Sequence, residues 1–317
     1  MTERTQKTPC GQLGLALLGS LWLVSGLPLT MLAHAENHMP MQHAVIYAAD
    51  SGEDGFPIEL TVKPDGSAIL KIQSVSRRSA APPGIFASNV PTPLLARLAQ
   101  QIESKNYRAE EATCQLVPGE TYREIVVADS SGAKISTRCV GERTPASEAF
   151  VTAERVIQEI MQDVAKRPLA TASLRIGDKP SSVAVGEPAS YELIIENSGS
   201  EPVKLVLASA GQGKECGELS ALSLEDVKKS LASMSHQPLS CDLRRLKDPR
   251  ISADGHAVTI GPKQSITLPF AQAVDWSPGH YKISASLTAD LLIENFPSRL
   301  SVKLTSPETE MQVTAKP

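Results

Sequence analysis

The chain has 317 residues, of which 41% are hydrophobic and 4% aromatic, and its formal net charge is −4. An acidic balance repels the phosphates of nucleic acids and anionic membrane surfaces, and few aromatic rings are available to stack on bases or sugars. Composition therefore argues against nucleic acid as a partner, and the length leaves room for two domains of ordinary size.

The N-terminus has the residue order of a secretory signal. Two basic residues precede an apolar run over residues 13–33, which ends in Ala33-His34-Ala35 before a polar stretch. This order predicts a signal peptide over residues 1–35 and a flexible leader over residues 36–43. The apolar run is also close to the length that spans a bilayer, so an uncleaved anchor is the alternative. We expect a periplasmic or secreted protein that makes no membrane contact beyond this segment.

The leader contains candidate copper ligands. Cleavage after Ala35 would place His38 third from the new N-terminus, where a free amine, two amides and an imidazole suit Cu(II) or Ni(II). Thioether and imidazole groups that follow closely are good ligands for Cu(I). The candidate metal site therefore comprises His38, Met39, Met41 and His43. The alternative is that these are ordinary linker residues and that the protein has no cofactor.

Four cysteines follow the signal: Cys114, Cys139, Cys216 and Cys241. The first two are 25 positions apart, and so are the last two. An even number of cysteines in an oxidising compartment predicts two disulfides, for which three pairings exist. We favour 114–139 and 216–241, because each bond then stays within one predicted domain. A zinc site is disfavoured because no pair has Cys-x-x-Cys spacing.

Residues 44–167 have the pattern of an α+β domain. Alternating apolar residues predict strands at 44–49, 57–62 and 68–72, with Pro64-Asp65-Gly66-Ser67 as a hairpin turn. A helix is expected from Thr92, and a second hairpin over residues 123–139. Helical spacing predicts a closing helix after Thr144-Pro145, with an apolar face formed by Phe150, Ala153, Ile157, Ile160 and Val164. This order predicts an antiparallel sheet covered on one face by two helices.

An Asp-Gly hairpin before a Leu-rich helix, and a closing helix after a second hairpin, loosely resemble the emfourin-type inhibitors of bacterial metallopeptidases. The resemblance covers about 120 residues of this pattern. It implies an inhibitor fold and assigns no inhibitory residue.

Residues 172–314 have the pattern of an all-β sandwich. The stretch SYELIIENSGSEPVKL alternates apolar and polar residues on both sides of Asn197-Ser198-Gly199-Ser200, which predicts a hairpin. Further short strands are expected near 174–176, 182–185, 256–260, 265–270, 281–287 and 300–305. Within WSPGHY, the hydroxyl of Tyr281 is expected to bond to nearby backbone, as in the tyrosine corner of immunoglobulin-like domains.

The strings IIENSGSEPVKL, IGPKQSITLPF and WSPGHYKISASL resemble bacterial immunoglobulin-like modules, which include an intracellular proteinase inhibitor family of bacilli. The resemblance implies the fold, and fold alone does not assign function. The chain departs from that pattern by an insertion over residues 209–250. We expect this insertion to contain a helix that runs from Ser223 to about Ser235. It either presents a binding surface or covers an open sheet edge.

The sequence contains no Gly-x-Ser-x-Gly motif, no phosphate loop with Gly-Lys-Ser/Thr and no His-Glu-x-x-His motif. It also lacks a Ser-x-x-Lys frame with its companion motifs. We therefore expect a non-enzymatic exported protein that binds another protein, as a periplasmic inhibitor or immunity protein against a peptidase or toxin. Two alternatives remain open: a copper-binding protein, and a hydrolase whose site would need a concave pocket with a convergent acid, base and nucleophile.

Overall fold

A computed structural model describes residues 41–49, 58–74, 81–104, 107, 121–129, 131–141, 146–207, 215–228, 234–240, 243–294, 296 and 299–316. These residues belong to one compact unit and are mostly β-sheet with few helices. The predicted signal peptide, His38, Met39, Cys114 and Cys241 lie outside the described residues. Among the described helices, none combines the length and the apolar composition that a bilayer crossing requires.

Seven antiparallel strands form the first sheet, in the order β6-β5-β1-β2-β3-β4-β7. Residues on β1, β2 and β3 alternate between buried and half-buried, because successive side chains of a strand point to opposite faces. The strands are β1 Ala44–Ala49, β2 Ile58–Val62, β3 Ser67–Ile72, β4 Gly84–Asn89, β5 Arg123–Ala128, β6 Lys134–Val140 and β7 Pro168–Thr171. The two predicted hairpins are confirmed as β2–β3 and β5–β6.

Two helices pack together against this sheet, α1 at Thr92–Glu103 and α2 at Glu148–Val164. Helix α2 begins after Ser147, whose side chain accepts a hydrogen bond from the N–H of Phe150 (3.1 Å). Its predicted apolar face is buried in one hydrophobic cluster with the side chains of β1–β3. The charged residue Glu154 also lies in this interior. It is only 4% exposed, accepts a hydrogen bond from the hydroxyl of Tyr47 (2.8 Å) and pairs with Arg123.

The remaining strands form two further sheets that share a second hydrophobic cluster. Strands β8 Ser173–Ile176, β10 Pro188–Asn197 and β15 Gln264–Ala273 form a three-stranded sheet. An eight-stranded sheet is centred on β16 Gly279–Leu292 and also contains β9 Ser182–Ala184, β11 Val203–Leu207, β12 Glu215–Ser223, β13 Met234–Ser240, β14 Ala257–Ile260, β17 Leu300–Thr305 and β18 Thr309–Thr314. Both sheets direct alternate apolar side chains into the same cluster, so they pack face to face.

The predicted hairpin in SYELIIENSGSEPVKL is wrong. Its two strands do form, but β10 pairs with β8 and β15, whereas β11 pairs with β14 and β16. The turn between them therefore carries the chain from one sheet to the other. Alternation predicts the buried residues of each strand equally well for a hairpin and for such a corner, so the pattern could not distinguish them.

The corner is held by the side chain of Asn197, which is fully buried. Its Oδ1 accepts from the N–H groups of Thr171 (3.3 Å) and Gly199 (2.9 Å). Its Nδ2 donates to the carbonyls of Glu201 (2.7 Å) and Ile260 (3.2 Å). The side-chain amide of Asn197 therefore connects the corner to β7 of the first sheet and to β14 of the eight-stranded sheet.

Backbone hydrogen bonds complete the junction between the first sheet and the sandwich. The N–H of Glu201 donates to the carbonyl of Leu169 (2.8 Å), and that of Lys303 to the carbonyl of Gln73 (2.8 Å). Gly199 lies so close to β7 that a Cβ there would be 2.4 Å from the carbonyl oxygen of Leu169. The junction is therefore a fixed contact between backbones.

The predicted helical insertion is not confirmed. Most of the described part of residues 209–250 is a β-hairpin, in which β12 pairs with both β16 and β13. The described helix α3 comprises Leu224–Lys228, residues 229–233 lie outside the described residues, and strand β13 begins at Met234, near the predicted end of the helix. Residues 218–222 and 234–239 extend the eight-stranded sheet, because their backbone groups find partners there.

The predicted tyrosine corner bond is confirmed: the hydroxyl of Tyr281 donates to the carbonyl of Ser277 (2.7 Å). The ring of Tyr281 packs on Trp276, with ring centroids 5.5 Å apart. Burial raises the pKa of the Tyr281 hydroxyl, and the nearby carboxylates of Asp226 and Glu225 add to the effect. The hydroxyl therefore stays a proton donor well above neutral pH.

Replacing Asn197 with alanine should lower the free energy of unfolding by about 3 kcal/mol, because buried backbone groups lose their partners on both sides of the corner. Urea unfolding would measure the loss. The matched control is Asn89→Ala, at an exposed position, for which we expect a change below about 0.5 kcal/mol. Equal effects of the two substitutions would contradict the role of Asn197.

Replacing Tyr281 with phenylalanine should cost about 1 kcal/mol, because only the hydroxyl and its hydrogen bond are lost. Thermal unfolding of Tyr281→Phe and of Tyr281→Leu would separate the hydroxyl from the ring, since leucine also removes the contact with Trp276. An unchanged melting temperature in the phenylalanine variant would show that the corner bond does not stabilise the fold.

Candidate functional site

A cavity of about 830 Å³ opens where the first sheet meets the sandwich. Its walls include Pro82 and Pro83 from the segment directly before β4, and Ala172 from the segment between β7 and β8. The N–H of Ala172 donates to the carbonyl of Pro83 (2.9 Å), which fixes these two walls to each other. Cavities at the meeting point of two packed bodies are common ligand sites. This cavity is therefore the candidate functional site.

The floor of the cavity is the outer face of the eight-stranded sheet. Leu219 and Ala221 of β12 are buried in the core, so Glu218 and Ser220 project from the opposite face. The same alternation brings hydroxyl and charged side chains of the neighbouring strands to this face. The polar lining consists of Ser173, Glu218, Ser220, His236, Ser284, Ser286, Lys303, Thr305 and Ser306.

Strand register places these side chains side by side. Ser220 lies directly opposite His236 of β13 on one side and Ser284 of β16 on the other. Glu218 lies opposite Ser286. Directly opposed residues have Cβ atoms about 5 Å apart. The floor is therefore a compact patch of short side chains around one carboxylate and one imidazole.

The imidazole of His236 is held from its Nδ1 side. Nδ1 lies 3.1 Å from the hydroxyl oxygen of Ser220 and 3.4 Å from Oε2 of Glu218. The Ser220 hydroxyl can also donate to Oε1 of Glu218, at 3.5 Å. Because a carboxylate only accepts, this arrangement favours a proton on Nδ1. In the neutral ring the lone pair then lies on Nε2.

A serine, a histidine and a glutamate that line one cavity are the residue types of a catalytic triad, in which a proton passes from the serine to the histidine. In such a relay the serine and the carboxylate bond to opposite nitrogens of the ring, so that one nitrogen takes the serine proton while the other is oriented. In this site Ser220 and Glu218 both approach Nδ1. The three residues are thus not arranged to activate the serine.

Strand β13 is fixed by a residue on its other face. Gln237 is 7% exposed and points towards the core. Its amide donates to the carbonyl of Ala273 (3.3 Å) and to the carboxylate of Asp275. On the opposite face of the strand, Met234 and His236 are exposed and line the cavity. The position of His236 in the cavity therefore depends on a buried contact behind it.

Of the four predicted copper ligands, Met41 and His43 lie within the described residues. Met41 is 3% exposed and packs in the core of the first sheet, so its thioether is not accessible to solvent. His43 is half-buried next to β1, whereas His38 and Met39 lie outside the described residues. Within the described ranges, no group of three or more His, Cys, Asp or Glu side chains is placed to hold a metal ion.

Two of the predicted disulfide cysteines are described, and both are buried. Cys139 on β6 is 7% exposed and Cys216 on β12 is 3% exposed. Each is disulfide-bonded. Because Cys114 and Cys241 lie outside the described residues, the pairing 114–139 and 216–241 stays a prediction.

Sequence reasoning missed the cavity residues. His236, for example, lies within β13 at an exposed position of the strand. The usable signal was the alternation of serine with apolar residues in two segments, Gly217-Glu218-Leu219-Ser220-Ala221 and Ile283-Ser284-Ala285-Ser286-Leu287. That alternation gives each strand one apolar face and one face on which serine side chains project. Only the register shows that the two hydroxyl faces meet.

No protein-family model matches the chain, and no curated protein matches it. Among solved structures it is similar to the CARDB domain of a Pyrococcus furiosus protein, in complex with di-metal ions, at 14% identity and a TM-score of 0.22, over 47% of this chain and 96% of that one. It is also similar to the ApaA protein of Bordetella pertussis, at 9% identity and a TM-score of 0.27, over 46% and 97% of the two chains. A β-glucosidase of Listeria innocua matches at 11% identity and a TM-score of 0.25, over 46% and 16%. Similarity of this degree carries no argument about what the chain does.

The arrangement around His236 predicts the Nδ1–H tautomer. Two-bond ¹H–¹⁵N correlation spectra, recorded where the ring is neutral, should show Nε2 as the unprotonated nitrogen. Replacing Glu218 with glutamine removes the negative charge that favours this tautomer and adds an N–H donor that can face Nδ1, so the Nε2–H form should then gain population. A wild-type ring that carries its proton on Nε2 would contradict the geometry.

Proposed function

We propose that this protein is a non-catalytic, exported binding protein that inhibits or neutralises a protein partner, either a peptidase or a secreted toxin. The signal-like N-terminus supports export to the periplasm or beyond. The serine and the carboxylate that share one imidazole nitrogen support binding over hydrolysis. We interpret the two hydrophobic clusters as two domains, an α+β domain over 44–167 and an immunoglobulin-like sandwich over 172–314.

The observation that carries the proposal is the exposure of large apolar side chains on the β12–β13 hairpin. Met234, at the rim of the cavity, is 51% exposed, and Val227 on α3 is 44% exposed. Only two other large apolar side chains in the described part of the chain are exposed, Ile135 and Val151. Exposed apolar anchors beside a cavity are typical of protein–protein contact sites.

A rigid base supports the same interpretation. The hairpin belongs to the eight-stranded sheet, and the junction that forms the cavity is held by backbone hydrogen bonds. A surface that is already ordered loses little conformational entropy on binding, which favours tight association. An inhibitor or immunity protein needs tight association, because it must outcompete the substrate or target of its partner.

Copper binding is a weaker candidate. The burial of Met41 leaves this hypothesis with His38, Met39 and His43 as ligands. It therefore depends on cleavage directly after Ala35, which intact-mass analysis of the exported protein would determine.

Replacing Val227 and Met234 together with serine should weaken partner binding at least tenfold, because apolar anchors at an interface commonly contribute more than about 1 kcal/mol each. The partner would first be captured from periplasmic extract with the full processed chain, identified by mass spectrometry and purified. Affinities for wild type and variants would follow from calorimetry, and inhibition would be measured on the activity of the partner.

The matched control is Ile135→Ser, because Ile135 is 54% exposed but lies on β6 of the first sheet. It should leave affinity unchanged. Equal binding by the hairpin variant and the control would place the interface elsewhere. Failure to recover any stoichiometric partner that the protein inhibits would overturn the proposed function.

A further inference from the structure

We propose that the junction cavity binds the cationic end of a basic side chain, lysine or arginine, with Glu218 as its counter-charge. The inference rests on the proposed function in one respect, since it assigns the basic side chain to the protein partner. It thereby names the chemistry by which that partner is recognised.

The floor of the cavity offers more acceptors than donors at its centre. Glu218 accepts at both carboxylate oxygens, and its side chain is 42% exposed. Among the described residues its one charged contact is His236, at 3.4 Å from Nδ1. That contact occupies the Nδ1 side of the ring and leaves Nε2 as a further acceptor in the neutral form. An incoming group is therefore met by a carboxylate and a ring lone pair.

Hydroxyls surround this pair at short range. Register places Ser286 opposite Glu218, and Ser284 opposite Ser220. Each hydroxyl can accept as well as donate, and short side chains allow a ligand to approach the sheet closely. An ammonium group has three N–H donors and a guanidinium has five, all of which need acceptors when the group leaves water. The patch around Glu218 supplies acceptors for these N–H groups from its carboxylate and from the neighbouring hydroxyls.

The walls suit the hydrocarbon stem of such a side chain. Met234, Pro82 and Pro83 line the cavity and present apolar surface beside the polar floor. Lysine and arginine bury their methylene stems against apolar surface while the charged end stays hydrogen-bonded. A flat floor of acceptors between apolar walls therefore complements both ends of a basic side chain.

Other ligand classes fit less well. None of the described lining residues is Phe, Tyr or Trp, so the imidazole of His236 is the one ring among them on which a sugar or base could stack. An anion would be repelled by Glu218. Lys303 is two strands away from Glu218 and is offset along the sheet, because Lys303 is opposite Thr288, whereas Glu218 is opposite Ser286. Glu218 is therefore the charged group nearest to Ser220 and His236 on the floor.

The test uses small probes that isolate the charged end. ¹⁵N-labelled full-length processed protein would be titrated with N-acetyl-lysine amide, with N-acetyl-arginine amide and with the neutral isostere N-acetyl-norleucine amide. At least one basic probe should give saturable shifts at His236, Ser284 and Ser286. The norleucine probe should bind at least tenfold more weakly, and added salt should weaken the basic probe.

Replacing Glu218 with glutamine should reduce the affinity of the basic probe at least tenfold, since it removes the counter-charge and keeps the shape. The matched control is Glu196→Gln, at an exposed position on β10 of the other sheet, which should change nothing. Equal binding of lysine and norleucine probes, an unchanged affinity in the Glu218 variant, or binding of inorganic phosphate in place of the basic probes would each overturn the inference.

A second measurement separates this inference from the proposed function. If the purified partner binds wild type and Glu218→Gln equally well, the cavity does not take a basic side chain, although the protein still binds that partner. If no partner exists but the basic probes bind as expected, the proposed function fails and the site stands. Loss of both partner binding and probe binding in Glu218→Gln supports the two together.

Discussion

The buried amide of Asn197 is the contact on which the arrangement of the molecule depends. It satisfies backbone groups of its own corner, of β7 and of β14, so it joins the first sheet to both layers of the sandwich. Backbone groups at such a corner cannot all pair within a sheet, because the chain leaves one sheet and enters the other. The side chain of Asn197 has both donors and an acceptor, so this one residue supplies partners for the unpaired backbone groups on both sides of the corner. Gly199 then permits the close approach of the two backbones, since any Cβ would meet the carbonyl of Leu169.

The cavity is a consequence of that junction. An outer sheet face covered with short hydroxyl side chains would be flat and fully hydrated if it stood alone. Here Pro82, Pro83 and Ala172 rise beside it, held by the hydrogen bond between Ala172 and Pro83. The enclosure partly removes water from Glu218 and Ser220, and electrostatic contacts strengthen where water is excluded. The contacts that fix the first sheet to the sandwich therefore also enclose the outer face of the eight-stranded sheet and strengthen the electrostatic contacts of its side chains.

Much of the local structure could be predicted from the sequence, and the pairing of distant strands could not. Alternation located β1, β2 and β3, and helical spacing identified the buried face of α2 from Phe150 to Val164, because burial on one face leaves a period in the sequence. Strands β4 and β7 were missed, since one follows a proline-rich loop and the other is four residues long. The corner at Asn197 was taken for a hairpin because both arrangements bury the same residues. The site was missed for a related reason: Ser220, Ser284 and His236 are distant in sequence and become neighbours only through register.

The geometry at His236 explains how familiar catalytic residue types can serve binding instead. A relay needs the carboxylate and the nucleophile on opposite sides of the ring, so that charge formed on the imidazole is stabilised as the proton moves. With Ser220 and Glu218 on the same side, Nδ1 already faces a carboxylate and is not left to take the serine proton. The free nitrogen, the carboxylate and the neighbouring hydroxyls instead face the cavity as acceptors. An acceptor-rich surface of this kind selects a partner by its N–H donors and its positive charge. The arrangement that fails as a catalytic relay is therefore well suited to recognition, provided that the partner brings the basic group which the cavity lacks at its centre.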